Sequence, residues 1–397
     1  MKKMNGDELF EKVYGSVIGG CIGDALGAPT EGMHYKAIRE HLGVVEKFIE
    51  PLEDRRKMGS PRSFEPFIPE EARKYIRPTA GHIPDESKLI MAYAPDGYHR
   101  GSGSITDDMQ AHLFWIEAIN HYGRRIDRRE LELYNRKIAL ECENSPYEYR
   151  RKWDKHKVLI SMYQRRSFWN RWNGRAFMGV GGLINAGDPD RGAEDGGIVG
   201  TAVAEAMKPD ATVESIIQAV IERAVVLGDL ANEFVGKLYW IMKKVKEKKI
   251  EDVLDLIPIL YREESSEKPF EDPIFLANMY NWQLENFPVA LGMIYIAKGD
   301  PWRAVVGCTN FGRDGDSSGA VAGLIAGALK GIDALPKDMV EQVLQANSHI
   351  NITEMTQKLT PIIKQNMEKP KWVLNYRTID SELYTYTQTF FKDSPGY

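Results

Sequence analysis

Apolar residues recur at helical spacing along most of the chain, and the alternating patterns typical of β-strands are scarce. Several connections contain Asp followed by Pro, as at Asp188-Pro189 and Asp300-Pro301, and this pair suits the first turn of a helix. The pattern therefore predicts an all-α fold. The predicted helices cover residues 8–28, 106–122, 129–142, 197–207, 212–227, 230–248, 283–298, 301–309, 317–330, 337–346 and 352–366.

Glycine recurs every fourth residue in two of the predicted helices. The first series is Gly15, Gly19, Gly23 and Gly27, and the second is Gly315, Gly319, Gly323, Gly327 and Gly331. A glycine inside a helix costs roughly 0.5–1 kcal/mol relative to alanine, so a whole glycine face needs a packing reason. We expect these two helices to pack closely against each other or against a shared neighbour.

Two acidic clusters stand at predicted helix starts in apolar surroundings. Thr106-Asp107-Asp108 precedes one apolar helix, and Asp314-Gly315-Asp316-Ser317 precedes another that is almost uncharged. Either cluster alone would be typical of a helix cap. Burial of ionised aspartates without compensation costs several kcal/mol each, so these side chains should take up protons or share cations. Ligand sets made only of oxygen favour Mg²⁺, Mn²⁺ or Ca²⁺ over zinc.

The distance between the clusters bears on domain organisation. A length of 397 residues alone would indicate two or three domains. The two clusters are about 200 residues apart, however, and a shared metal site would bring both into one domain. We therefore expect a single compact multi-helix domain over residues 1–370, which includes a Pro-rich loop between Gly43 and Gly103. Residues 371–397 should form a tail that packs on this domain.

Composition narrows the functional classes. Apolar residues make up 43% of the chain and charged residues 27%, as in ordinary globular proteins, and the net charge of −5 argues against binding to nucleic acid. The three cysteines are widely separated, which favours a reducing compartment. The apolar stretch Val17–Cys21 resembles a lipidated signal peptide, but acidic residues interrupt it and it is too short to span a bilayer. We expect a cytoplasmic protein that does not enter membranes.

Two acidic residues near the end of the first predicted helix also attract attention. Pro29 should end that helix and leave Glu31 on a loop, where an exposed loop glutamate is the plainest interpretation. Asp24 lies in a small, apolar segment and should make buried hydrogen bonds. The neighbouring metal clusters make Glu31 a candidate general base.

Several motifs follow one another in a recognisable order. They are Gly23-Asp24-Ala25-Leu26-Gly27-Ala28-Pro29 with Glu31, Thr106-Asp107-Asp108, Asn173-Gly174-Arg175-Ala176-Phe177-Met178, Gly187-Asp188-Pro189 and Gly312-Arg313-Asp314-Gly315-Asp316-Ser317. Together they resemble the ADP-ribosylglycohydrolase family, which is also called the dinitrogenase-reductase-activating glycohydrolase family. The resemblance covers roughly residues 12–332.

The resemblance implies an all-α domain that holds two Mg²⁺ or Mn²⁺ ions and hydrolyses the bond at C1 of a ribosyl group. The implied metal ligands are Thr106, Asp107, Asp108, Asp314, Asp316 and Ser317. Glu31 and Asp107 are the catalytic candidates, with Glu31 accepting a proton from the attacking water or orienting it. The candidates for substrate binding are Asp24, Asn173, Gly174, Arg175 and Gly315. The implied partner is a ribosyl-containing small molecule or an ADP-ribosylated substrate.

The chain also departs from the family pattern. Met109 stands where the family usually has Thr, and the Thr-His pair often found after Gly187-Asp188-Pro189 is absent. Gly315 replaces a hydroxyl residue, which we expect to loosen the loop without removing a ligand. We interpret these changes as altered substrate recognition around intact metal ligands.

Alternatives stay open at this point. The same site would suit a hydrolase of nucleosides or other small sugar metabolites, a noncatalytic crystallin-like protein or a metal-dependent phosphoesterase. The basic and aromatic segment Arg150–Arg175 fits a phosphate clamp, a contact in a homo-oligomer or an amphipathic helix.

Overall fold

A computed structural model describes residues 6–31, 33–49, 102–126, 130–131, 133–134, 137, 179–224, 231–261 and 284–368. Within these ranges the regular structure is helical, and the only β-type pairing is an isolated bridge between His34 and Gly312. The predicted all-α fold class is therefore confirmed. None of the helices in these ranges combines the length and the apolar character needed to cross a membrane.

The helices are numbered here in chain order. They are α1 (Gly6–Gly27), α2 (Tyr35–His41), α3 (Asp107–Tyr122), α4 (Gly179–Ile184), α5 (Pro189–Ala206), α6 (Val213–Arg223), α7 (Ala231–Lys248), α8 (Val253–Leu260), α9 (Asn286–Ile296), α10 (Pro301–Phe311), α11 (Gly315–Lys330), α12 (Lys337–Ala346) and α13 (Ile352–Met367). Short 3-10 turns follow α1 at Ala28–Thr30 and α11 at Ile332–Ala334.

The Asp-Pro pairs begin helices as predicted. Asp188 caps α5 by accepting a hydrogen bond from the backbone amide of Arg191, and Asp300 caps α10 in the same way through Arg303. The predicted helix over residues 197–207 matches the second part of α5, and the first part, from Pro189, was not predicted. Gly197 forms the kink between the two parts, with φ 57° and ψ −144°, which is a backbone conformation that glycine reaches without a steric penalty.

Three short helices, α2, α4 and α8, were not predicted. Each is at most eight residues long, and α8 contains Pro258 while half of α4 is glycine, so propensity works against both. The predicted helix over residues 129–142 and the loop from Gly43 to Gly103 lie largely outside the described ranges. The tail 371–397 lies wholly outside them, and the domain boundary at 370 stays a prediction.

The centre of the fold is the antiparallel pair of α1 and α11, which pack through their glycine faces. A Cβ atom added to Gly19 would lie 2.4 Å from the carbonyl oxygen of Gly323, and one added to Gly23 would lie 2.0 Å from that of Gly319. The backbones therefore touch directly, which confirms the expectation from the glycine spacing. Helices α3, α9, α10 and α13 pack around this pair. Because the pair is antiparallel, the end of α1 and the start of α11 lie at the same end of the molecule.

Candidate metal centre

Acidic side chains from distant parts of the chain meet where α1 ends and where α3 and α11 begin. Oxygen atoms of Asp24, Asp108 and Asp316 all lie within 4.8 Å of one another. A second set, formed by Glu31, Asp314 and Asp316, meets the same limit. The four aspartates are buried, and Glu31 is partly buried after the Ala28–Thr30 turn. Asp316 belongs to both triads and so joins them into one acidic cluster.

Hydroxyl groups connect the helices that carry the cluster. The backbone amide and the Oγ1 hydroxyl of Thr106 donate to the two carboxylate oxygens of Asp24, at 2.6 and 2.5 Å. The Ser317 hydroxyl donates to Oδ2 of Asp108 at 2.6 Å, and Oγ1 of Thr106 lies 3.4 Å from Oδ2 of Asp316. Asp24 thus makes the buried hydrogen bonds that its apolar surroundings predicted.

Thr106 is also the N-cap of α3, so the first cluster does contain the helix cap that its sequence is typical of. A cap alone does not explain why three aspartates from other turns converge on the same point. Burial, followed by the negative charges of Glu31, Asp314, Asp108 and Asp24, raises the pKa of Asp316 well above its usual value. The carboxylates therefore repel one another in a region that water does not screen.

The chemistry of this donor set fits a hard divalent cation. The two triads supply carboxylate oxygens, and the adjoining Thr106 and Ser317 supply hydroxyl oxygens, without a thiolate or an imidazole in either triad. Such a set suits Mg²⁺, Mn²⁺ or Ca²⁺ better than zinc. A cation would also offset the mutual repulsion of the buried carboxylates.

The structure brings some of the predicted site residues together, and others lie outside the part of the chain that it describes. Seven of them lie together in the acidic cluster or in contact with it: Asp24, Glu31, Thr106, Asp108, Asp314, Asp316 and Ser317. Asp107 is the first residue of α3, but its side chain lies outside the described part, as do Asn173, Gly174 and Arg175.

Gly315 is not part of a loosened loop, because it is the first residue of α11 and is buried. A Cβ atom at this position would lie 2.7 Å from the Thr30 hydroxyl oxygen. The glycine therefore lets the start of α11 approach the turn that leads to Glu31.

Two residues at the start of α9 were not predicted to belong near the site. Glu285 forms a buried bidentate ion pair with Arg313, with both N–O distances at 2.7 Å, and Asn286 donates a hydrogen bond to Oδ2 of Asp314. The signal available was a charged residue directly before a helix too apolar to be exposed. Such a residue needs a partner, but its identity depends on the tertiary fold.

Three buried or partly buried rings, those of His34, Tyr35 and Tyr261, pack together near Gly312. His34 packs against Tyr35 and Tyr261, and the Tyr261 hydroxyl donates to the carbonyl oxygen of Phe311 at 2.7 Å. Burial, with contributions from Lys36 and Arg313, lowers the pKa of His34 to about 3. His34 is therefore neutral at physiological pH, beside the Gly312 backbone with which it forms the isolated bridge.

The chain has matches among known families, proteins and solved structures. The sequence model of the family described as ADP-ribosylglycohydrolase matches residues 5–369. The chain is 23% identical over 339 residues to "Uncharacterized protein YegU" of Escherichia coli (strain K12), over 82% of this chain and 89% of that protein. A solved structure described as "ADP-ribosylglycohydrolase-related protein complex" aligns with a TM-score of 0.39 and 16% identity, over 90% of this chain and 99% of that one.

Proposed function

The chain belongs to the ADP-ribosylglycohydrolase family, and from that premise we propose that it is a divalent-metal-dependent hydrolase that cleaves the bond at C1 of a ribosyl group. The family supports glycosyl hydrolase activity in general, and the ribosyl group would be ADP-ribosyl or a related one. The observation that carries the proposal is the pair of acidic triads that share Asp316.

Two Mg²⁺ or Mn²⁺ ions are the proposed cofactors. Asp108, Asp314 and Asp316 would hold these ions through their carboxylate oxygens, because the two triads bring the three side chains together. Thr106, Asp107 and Ser317 are the remaining proposed ligands. When bound, such cations supply Lewis-acid stabilisation of developing negative charge and help to orient substrate oxygens.

Hydrogen bonds orient the hydroxyl groups of two of these proposed ligands. Thr106 gives its hydroxyl hydrogen to Asp24, and Ser317 gives its hydroxyl hydrogen to Asp108. Each hydroxyl oxygen therefore keeps at least one lone pair with which it could bind a cation, although that of Thr106 also accepts from the Asp108 amide. In this proposal Asp24 acts mainly by fixing Thr106, since both of its oxygens accept from that residue.

Glu31 is the proposed general base. Its carboxylate lies within 4.8 Å of oxygens of Asp314 and Asp316, and it follows a 3-10 turn that Pro29 helps to form. A water between Glu31 and the ribosyl C1 atom would give its proton to Glu31 as the leaving group departs through an oxocarbenium-like state. Asn173, Gly174, Arg175 and Gly315 stay the proposed contacts to the substrate, which would be a small ribosyl compound or an ADP-ribosylated molecule in the cytoplasm.

The test is a substrate panel with mass-spectrometric detection of products. Mg²⁺-loaded protein would be incubated with ADP-ribosyl-arginine, ADP-ribosyl-serine, nucleosides and ribosyl phosphates, beside the matched variants Asp314→Asn and Glu31→Gln. We expect the wild type to release a product with a free C1 hydroxyl. Asp314→Asn should lose this activity, and Glu31→Gln should reduce kcat by roughly 10²–10⁴-fold.

The panel also separates the alternatives. Release from nucleoside-like compounds alone would identify a hydrolase of small metabolites on the same site. Release of inorganic phosphate without a free C1 hydroxyl would indicate a phosphoesterase. A metal-loaded wild type that leaves every compound intact would contradict the proposal in favour of a noncatalytic member.

A further inference from the structure

A buried ion pair lies beside the acidic cluster without belonging to either triad. Nε and Nη2 of Arg313 donate to the two carboxylate oxygens of Glu285, each at 2.7 Å. The Arg313 side chain is 2% exposed and that of Glu285 is 0% exposed. Water therefore does not screen this pair, and its geometry is the planar bidentate arrangement that arginine and carboxylate form best.

The backbone beside the pair makes a constrained turn. Gly312 has φ 74° and ψ −142°, and a Cβ atom there would lie 2.3 Å from the carbonyl oxygen of Met33. Arg313 follows with φ 59°, in the left-handed region that non-glycine residues rarely adopt. Its backbone amide donates to the same Met33 oxygen at 2.8 Å. This turn directs the Arg313 side chain toward α9. Helix α11 then begins two residues later, at Gly315.

The residue after each member of the ion pair makes a second contact. Asn286 donates a hydrogen bond from Nδ2 to Oδ2 of Asp314. The consecutive residues Glu285 and Asn286 thus hold the consecutive residues Arg313 and Asp314. We call these four residues the α9–α11 clamp.

The α9 side of the clamp is fixed in turn by α7. Nζ of Lys237 donates to the carbonyl oxygen of Leu284 at 3.0 Å and pairs with Glu233 at 3.1 Å. Lys237 is itself buried. Lys237 therefore anchors the residue before Glu285 to α7.

Stability alone does not account for this arrangement. The desolvation of two charges usually offsets their attraction, and well-packed apolar residues often replace a buried pair without loss. The clamp does one thing that apolar residues could not do: it fixes the direction of the Asp314 carboxylate through the Asn286 hydrogen bond and the ion pair of the two preceding residues.

We propose that Glu285, Asn286 and Arg313 are positioning residues that set the affinity of the acidic cluster for a divalent cation through Asp314. This inference rests on the proposed function, because it assumes that the cluster binds a cation. The residues act through Asp314 and need not contact the substrate.

The experiment measures Mn²⁺ affinity by titration calorimetry and electron paramagnetic resonance, together with the melting temperature of each metal-free protein. Glu285→Gln and Asn286→Ala should each weaken Mn²⁺ binding by roughly 10–100-fold, as is typical for residues that orient metal ligands. The double variant Glu285→Leu/Arg313→Met removes both charges. It should melt higher than Glu285→Gln, yet keep the weakened affinity.

Asp195→Asn is the matched control. Asp195 also accepts a bidentate pair, from Arg125 at 2.7 and 2.5 Å, and none of these bonds involves the acidic cluster. The Asp195→Asn variant should have a changed melting temperature and the same Mn²⁺ affinity as the wild type. Asn286→Ala leaves the buried Glu285–Arg313 ion pair intact, so it is the deciding variant if the charge variants do not fold.

Two failures can be told apart. If the wild type binds Mn²⁺ and both Asn286→Ala and the double variant bind it equally well, the clamp is only structural and this inference is wrong. If the folded wild type binds no divalent cation, the metal centre of the proposed function is wrong, and the inference falls with it.

Discussion

Asp316 is the residue on which both triads depend, and its charge is costly in the absence of a cation. Its folded pKa lies above the unfolded value, so the ionised form opposes folding at neutral pH and stops doing so below about pH 4. In EDTA, Asp316→Asn should therefore be more stable than the wild type at pH 7. The gain should shrink toward pH 4 in denaturant titrations.

The matched control for this prediction is Asp210→Asn, because Asp210 is exposed and remote in sequence from the cluster. It should leave the stability unchanged at both pH values. A destabilised Asp316→Asn protein in EDTA would show that the carboxylate is held by hydrogen bonds that outweigh the repulsion.

His34 gives a pH dependence of opposite sign. Its pKa falls from 6.5 to about 3 on folding, so between these values the unfolded chain binds a proton that the folded protein excludes. Stability should therefore be lost as the pH falls from 6.5 toward 3, by up to about 1.4 kcal/mol per pH unit. His34→Asn keeps an acceptor for the Lys36 amide and should lessen this loss.

The measurement is the free energy of unfolding of wild type and His34→Asn at pH 7, 5 and 4. The difference between the two proteins should change with pH in the stated direction. Parallel curves would mean that His34 titrates normally and is more hydrated than its burial indicates.

At this scale the sequence predicted well those residues whose chemistry conflicts with their surroundings. The four clustered aspartates, Asp24 among them, stand in apolar segments, so their burial and their need for partners could be inferred before the fold was known. Glu285 could not be matched with Arg313 in this way. Any of many cations could have paired with it, and only the packing of α9 against α11 selects one.

Among the helices, the glycine faces of α1 and α11 were the most informative pattern. Their four-residue spacing predicted a contact between helices about 300 residues apart, since few other arrangements would offset the cost in helix stability of so many glycines. Short helices were harder to predict. Helix α8, with Pro258 inside, exists because its apolar side chains are buried and not because its residues favour a helix.

The glycine contact makes a sharp prediction about stability. A methyl group at Gly19 would approach the Gly323 carbonyl oxygen to 2.4 Å, so Gly19→Ala must push the helices apart. We expect a loss of roughly 1–3 kcal/mol or more, as in other overpacked cores. Gly236→Ala is the control, because Gly236 lies in α7 with nothing within 4 Å of an added Cβ atom.

Gly236→Ala should gain about 0.5–1 kcal/mol from helix propensity alone. The two substitutions are chemically identical and differ only in their surroundings. Urea titrations should therefore give changes in the free energy of unfolding that have opposite signs. A Gly19→Ala protein as stable as the wild type would show that α1 and α11 are further apart than described.

For the whole molecule, the acidic cluster joins segments that lie far apart in sequence. Asp24 and Glu31 come from the end of α1 and the turn after it, Asp108 from α3, and Asp314 and Asp316 from the start of α11. The sequence predicted that these segments would meet, because buried aspartates need protons or a shared cation and because the order of the motifs resembles that of one family. It could not predict that one aspartate would be shared, since this depends on the register of α1 against α11.

This geometry predicts how the molecule responds when a cation binds. A cation that contacts all three segments should slow amide hydrogen exchange at residues 24–31, 106–110 and 314–318 over one range of Mn²⁺ concentration. Helix α6 contributes no residue to the cluster and serves as the internal control. Near a hundredfold excess over Kd, global stability should also rise by about 2.7 kcal/mol. Asp316→Asn should abolish the joint response, whereas protection at separate concentrations would mean that the triads bind cations independently and that Asp316 does not couple them.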